Sequence, residues 1–140
     1  MPKLEWLDTF ELRVPEIDGD HRAMLDLMKG VQSAMALGDR QTGEQLLDRL
    51  LAFAEGHFER EHALLVRWNC PEAEEHATYH WNLLSRAVAV RKACTEIENP
   101  KSFNECCEEM LSFLVDDVVR GDMRLKSFLE EAGLTIRVYN

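Results

Sequence analysis

The sequence is poor in residues that break helices. Four prolines and seven glycines interrupt 140 positions, so long helical runs are permitted. No alternation of apolar and polar residues persists over a useful length, which argues against a sheet-based fold. There is no run of 18 apolar residues, so nothing is expected to span a membrane. The opening Met1-Pro2-Lys3-Leu4-Glu5-Trp6 lacks the apolar core of a secretion signal. Basic residues are outnumbered: 16 Lys and Arg face 26 Asp and Glu, a net charge of -10. That sign disfavours nucleic acid and anionic membranes as partners. The four cysteines, Cys70, Cys94, Cys106 and Cys107, show no C-x-x-C spacing. Adjacent Cys106 and Cys107 suit neither a zinc site nor an ordinary disulfide, so all four are expected as reduced thiols in a cytoplasmic protein. A glycine-rich phosphate loop and a G-x-S-x-G nucleophile turn are also missing.

What is present fits one domain over residues 1–140, with no internal repeat or linker. A hydrophobic fraction of 46% is enough for a core at this length without disulfides. After a lead-in with Trp6, Phe10, Val14 and Pro15, apolar residues recur at helical spacing. The first stripe is Ile17, His21, Met24, Met28, Val31 and Met35, ending at Gly38-Asp39. The second is Leu46, Leu50, Phe53, His57, Glu61, Leu64 and Trp68, opened by Thr42 or Gly43 and broken at Asn69-Cys70-Pro71. The third is Ala73, His76, His80, Leu83, Ala87, Val90 and Cys94, ended by Asn99-Pro100. The fourth is Phe103, Cys106, Met110, Leu114, Asp117, Val118, Gly121, Leu125 and Phe128, with Ser102 and Glu105 as a capping box and Gly133 as the stop. These stripes predict an all-α, antiparallel up-down four-helix bundle with an extended N-terminal lead-in, its helices near 18–37, 43–68, 72–98 and 102–132.

His21, His57, Glu61, His76, His80 and Asp117 interrupt the apolar stripes. An ionised carboxylate buried without a partner is very costly. Six polar residues spread over four helices call for a common explanation, and a shared metal centre provides one. His57 and Glu61 are four apart, as are His76 and His80, so each pair shares a helix face and can grip one cation. Imidazole with carboxylate suits iron, zinc or manganese rather than calcium. His76-Ala77-Thr78-Tyr79-His80 lacks the glutamate of a zinc protease. Glu59-Arg60-Glu61-His62 supplies one E-x-x-H where ferritin-like carboxylate proteins need two.

In order and spacing these motifs resemble bacterial hemerythrins over nearly the whole chain. The resemblance rests on Trp6-Leu7-Asp8-Thr9-Phe10, on Val14-Pro15-Glu16-Ile17-Asp18-Gly19-Asp20-His21, on His57-Phe58-Glu59-Arg60-Glu61 and on His76-Ala77-Thr78-Tyr79-His80. The family's last motif, H-x-x-x-x-D, falls on Asp117 to Asp122, with Asp117 where the family has its fifth histidine. The resemblance implies two non-haem irons joined by an oxo or hydroxo group. His21 and His57 would terminate one iron, and His76, His80 and Asp117 the other, with Glu61 and Asp122 as bridges. Asp122 is assigned from resemblance alone, because five residues past Asp117 turn the helix face by about 140°. Met24, Phe58, Phe113, Leu114 and Val118 would line an apolar oxygen pocket. His62 is read as a surface or outer residue.

Four histidines and three carboxylates replace the family's five and two. The extra negative charge would favour ferric over ferrous iron and speed autoxidation of the oxygen adduct. The resemblance implies a dioxygen carrier, store or sensor. A di-iron redox enzyme for peroxide or nitric oxide, and an iron-handling module without oxygen chemistry, stay open beside it. The chain stops after the fourth helix, so sensing would act through a separate redox or signalling protein.

Overall fold

The computed structural model describes residues 4, 6, 11–116 and 121–135. All secondary structure among them is helical. Helix α1 spans Pro15–Ala36, α2 Arg40–Arg67, α3 Ala73–Thr95, α4 Pro100–Leu114 and α5 Lys126–Glu131. Consecutive members of α1 to α4 pack on one another and α1 also touches α4. This packing is compatible with a bundle.

The helix ends explain where the sequence-based boundaries shift. Helix α1 begins at Pro15, three residues before the expected Asp18, because proline is pre-set for a first helical position and has no N–H to leave unpaired. Asp18 instead holds the lead-in: its two carboxylate oxygens accept from the backbone N–H groups of Leu12 and Arg13, both at 2.9 Å. Asp39 caps α2 through the Thr42 N–H, so that helix opens before Gly43. Asn99, not Ser102, caps α4, and its side chain accepts from the Ser102 N–H. Helices α1 and α2 end by the same device. Gly38 (φ 71°) and Asn69 (φ 57°) take the left-handed conformation. The following N–H then reaches back, Asp39 to Ala34 and Cys70 to Leu65, each at 2.9 Å.

The expected single helix over 102–132 is not uniform among the described residues. Helix α4 stops at Leu114, and Val115 and Asp116 form a wider π-type turn. Gly121 and Asp122 are helical, Met123–Leu125 tighten into a 3-10 turn and the chain continues as α5. The predicted stripe residues Asp117 and Val118 lie outside the described residues.

The cysteine expectation is also corrected. Cys94 and Cys106 form a disulfide across the α3–α4 turn, while Cys70 and Cys107 are buried free thiols. Neighbouring helical residues point about 100° apart, so Cys106 faces α3 while Cys107 enters the core. A cytoplasmic location inferred from four reduced thiols loses that support. Among the described residues no helix is long and apolar enough to cross a membrane.

Two apolar clusters fill the interior. The larger includes Met24, Met28, Leu50, Phe58, Leu83, Met110 and Leu114. The smaller gathers Leu12, Val14, Ile17, Leu65, Ala73, Leu125 and Leu129.

Candidate metal centre

Between the two clusters α1, α2, α3 and the segment that follows α4 each contribute a polar residue. The order along the chain is Ile17, His21, Met24 on α1; Phe58, Glu61, Leu65 on α2; Ala73, His76, His80, Leu83 on α3; and Leu114 at the end of α4, followed by Asp122 and Leu125 in the last segment. His57 joins this layer one turn before Glu61. All six residues are buried, His76 being the most exposed at 8%.

The contacts within the layer are short and divided. Asp122 Oδ2 lies 2.6 Å from His21 Nε2 and 3.2 Å from His57 Nε2. Its other oxygen, Oδ1, lies 2.8 Å from His76 Nε2 and 2.9 Å from His80 Nε2. Glu61 repeats the division: Oε2 is 2.9 Å from His57 Nε2 and Oε1 is 2.6 Å from His76 Nε2. Each carboxylate thus gives one oxygen to the His21–His57 side and one to the His76–His80 side. His21, His57, Glu61 and Asp122 form one group of four donors, and Glu61, His76, His80 and Asp122 another. Within each group the donor atoms lie within 4.8 Å of one another, a spacing that can hold a metal ion.

Hydrogen bonding alone leaves this layer incomplete. Glu61 Oε2 and His80 Nε2 are buried with no hydrogen-bond partner, despite close neighbours at unsuitable angles. A cation beside these lone pairs would satisfy them, since neutral imidazole and ionised carboxylate are what a transition metal takes. Without one, the carboxylates draw protons onto the imidazoles. Burial opposes charge on His57, but its hydrogen bonds to Asp122 and Asp20 and the nearby negative charge of Glu61 win and push its pKa up to about 11. His76 is raised to about 9 by Asp122 and Glu61 against the same burial. Asp122 is held well below the usual carboxylate range: burial opposes this, but hydrogen bonds from its neighbours prevail.

The surroundings fix these groups. Asp20 Oδ2 lies 2.9 Å from His57 Nδ1 and accepts from Arg60 Nε at 2.9 Å. It holds a proton on Nδ1 and leaves Nε2 facing inward, the arrangement that orients metal-bound histidines. The sequence reading missed this role, because nothing in the spacing ties Asp20 to a residue 37 positions away. The Phe58 ring stacks on His80 with centroids 4.1 Å apart. A cavity of about 380 Å³, lined by Glu72, Glu75, His76, Tyr79, Arg124 and Leu125, reaches the layer from solvent.

The structure brings His21, His57, Glu61, His76, His80 and Asp122 together. Asp117, expected beside His76 and His80, lies outside the described residues, as does Val118. Met24, Phe58 and Leu114 are buried in one apolar cluster with Phe113 packed against it. Phe113 also carries the Arg86 guanidinium on its face, 4.4 Å from the centroid. His62 is not among the buried donors, its Nε2 lying 2.9 Å from Glu74 Oε1 in an exposed pair.

Fold and layer together define a helical protein with a buried His/Glu/Asp cluster that could bind a metal. No protein-family model and no curated protein matches this chain.

Proposed function

We propose that this protein is a non-haem di-iron protein that binds dioxygen in the bundle core. The observation that carries the reading is the division of Glu61 and Asp122, each with one oxygen on either histidine pair. A carboxylate that served one cation would have no reason to face both pairs. His21 and His57 would hold one iron, and His76 and His80 the other, with Asp117 as a further donor. Glu61 and Asp122 would join the two. The resemblance to bacterial hemerythrins supports iron as the metal and dioxygen as the ligand. The irons would supply reversible oxygen binding when present. The chain's own part is to orient the donors and keep water out: Asp20 sets the His57 ring, Met24, Phe58, Phe113 and Leu114 pack in one apolar cluster, and Val118 would add to it.

The cavity beside His76 favours a second reading, a redox enzyme for peroxide or nitric oxide. A small polar substrate could reach the layer past Tyr79 and Arg124 without crossing the apolar cluster.

Iron content and the visible spectrum test both. A reduced, desalted sample would be exposed to air and then returned to argon. About two irons per chain, with a charge-transfer band that appears in air and leaves under argon, is the expected result. A stable oxidised spectrum with peroxide turnover would favour the enzyme, and a protein that takes up no iron would defeat both.

A further inference from the structure

The histidines of the layer differ at their outer nitrogens. His57 Nδ1 meets a carboxylate oxygen, Asp20 Oδ2, at 2.9 Å. His21 Nδ1, on the same side of the layer, is buried with no hydrogen-bond partner. A second donor reaches the same Asp20 oxygen: Arg60 Nε, also at 2.9 Å. Asp20 Oδ2 is therefore shared between an imidazole N–H and a guanidinium N–H. The three side chains step outward from core to solvent, with exposures of 1% for His57, 17% for Asp20 and 52% for Arg60. Helix α2 itself makes the place for the arginine. Long helical side chains lean back over the preceding turn, and the residue four before Arg60 is Gly56. A Cβ on Gly56 would stand 2.9 Å from Arg60 Nη1, so glycine leaves the space in which the guanidinium lies. The Phe53 ring borders it, its centroid 5.3 Å from Arg60 Cζ.

We propose that Arg60 is a positioning residue that acts through Asp20 on His57 and sets the balance between ferric and ferrous iron on that side of the layer. The inference rests on the di-iron reading. A carboxylate that accepts from the outer N–H of a ligating imidazole makes the inner nitrogen a more basic donor. A more basic donor favours the more highly charged ion. Arg60 carries a permanent charge and draws on the very oxygen that His57 uses, so it moderates what Asp20 does. The two residues therefore act with opposite signs. Without the Asp20 charge, His57 Nε2 donates less and the reduction potential rises. Without the Arg60 charge, Asp20 is left wholly to His57 and the potential falls.

Redox titration of the iron-loaded full chain, followed in the visible spectrum with iron content measured on the same samples, tests this. Asp20→Asn should raise the midpoint potential and loosen iron against a competing chelator by about 10–100-fold. Arg60→Gln should lower the midpoint and leave the iron content that of the parent. Adding Arg60→Gln to Asp20→Asn should shift the midpoint no further, because the arginine then has no carboxylate to act through. An Arg60→Gln shift of equal size in both backgrounds would mean a surface charge felt through space, and overturns the proposal. So do shifts of the same sign in the two single variants, or an Arg60→Gln midpoint equal to the parent's. Any of these in a parent that binds iron removes this inference and leaves the di-iron reading standing, whereas a parent that takes up no iron removes both.

Discussion

The polar layer and the apolar cluster beside it share helices α1, α2 and α3 and do opposite work. In the larger cluster, residues such as Leu50, Val31 and Met110 are fully buried and ask nothing of their neighbours but shape. That end is further tied by the Cys94–Cys106 disulfide and by Arg40, whose guanidinium donates to the Ile97 and Thr95 carbonyls at the end of α3. Arg91 reaches from α3 to Asp48 and Glu44 on α2. The layer a few turns away buries four imidazoles and two carboxylates, groups whose desolvation costs more than apolar packing of the same volume. The difference teaches that cohesion and chemistry are assigned to separate levels of the bundle.

Five changes break or sharpen that contrast. Asp122→Ala removes the oxygen shared by each histidine pair. It should abolish metal uptake and destabilise the metal-free chain by about 3–5 kcal/mol, read by metal analysis and urea unfolding. Leu50→Ala, in the apolar cluster, should cost about 2–5 kcal/mol while the metal content stays that of the parent. A Leu50 variant that lost its metal would show that the two levels are not separate. Replacing all six layer residues together by apolar side chains of similar volume should give a metal-free chain more stable than the parent apo-protein by about 1–4 kcal/mol.

The fourth change is pH. His57 and His76 have folded pKa values raised to about 11 and about 9, above the unfolded value near 6.5. Their contribution to the metal-free fold is therefore complete below about pH 6.5 and drains away as pH rises through about 9 and then 11. Metal uptake runs the other way, because it needs neutral imidazole and improves as those protons leave. Thermal melts of apo and loaded protein at pH 6.5 and 9 should diverge in opposite directions. The smallest effect is expected at Asn99→Ala, which removes the α4 cap and should cost about 1 kcal/mol with no change in metal content.

Much of this was legible in the sequence, and particular residues show why some was not. The α1 stripe from Ile17 to Met35 is buried in full, because an uninterrupted 3.6-residue period leaves one choice of face. On α2 the deepest residues are Leu47, Ala54 and Leu65 rather than Leu46, Phe53 and Leu64. Apolar residues stand side by side there, and periodicity cannot choose between neighbours. Asp122 could have been found without any resemblance: Leu125 and Leu129, three and seven residues on, are both buried and mark its face. The π-type turn at Val115 and Asp116 had no proline or glycine to announce it. The disulfide was invisible because a pairing across a helix turn depends on how the two helices meet.

That disulfide gives the molecule an unusual tolerance to being cut. The segment it spans includes exposed Glu96, Glu98, Pro100 and Lys101, the sort of turn a protease finds first. A chain nicked there would still travel as a single covalent species and separate into two fragments only when the sulfurs are reduced. Backbone continuity and molecular integrity are, at this one corner, different things.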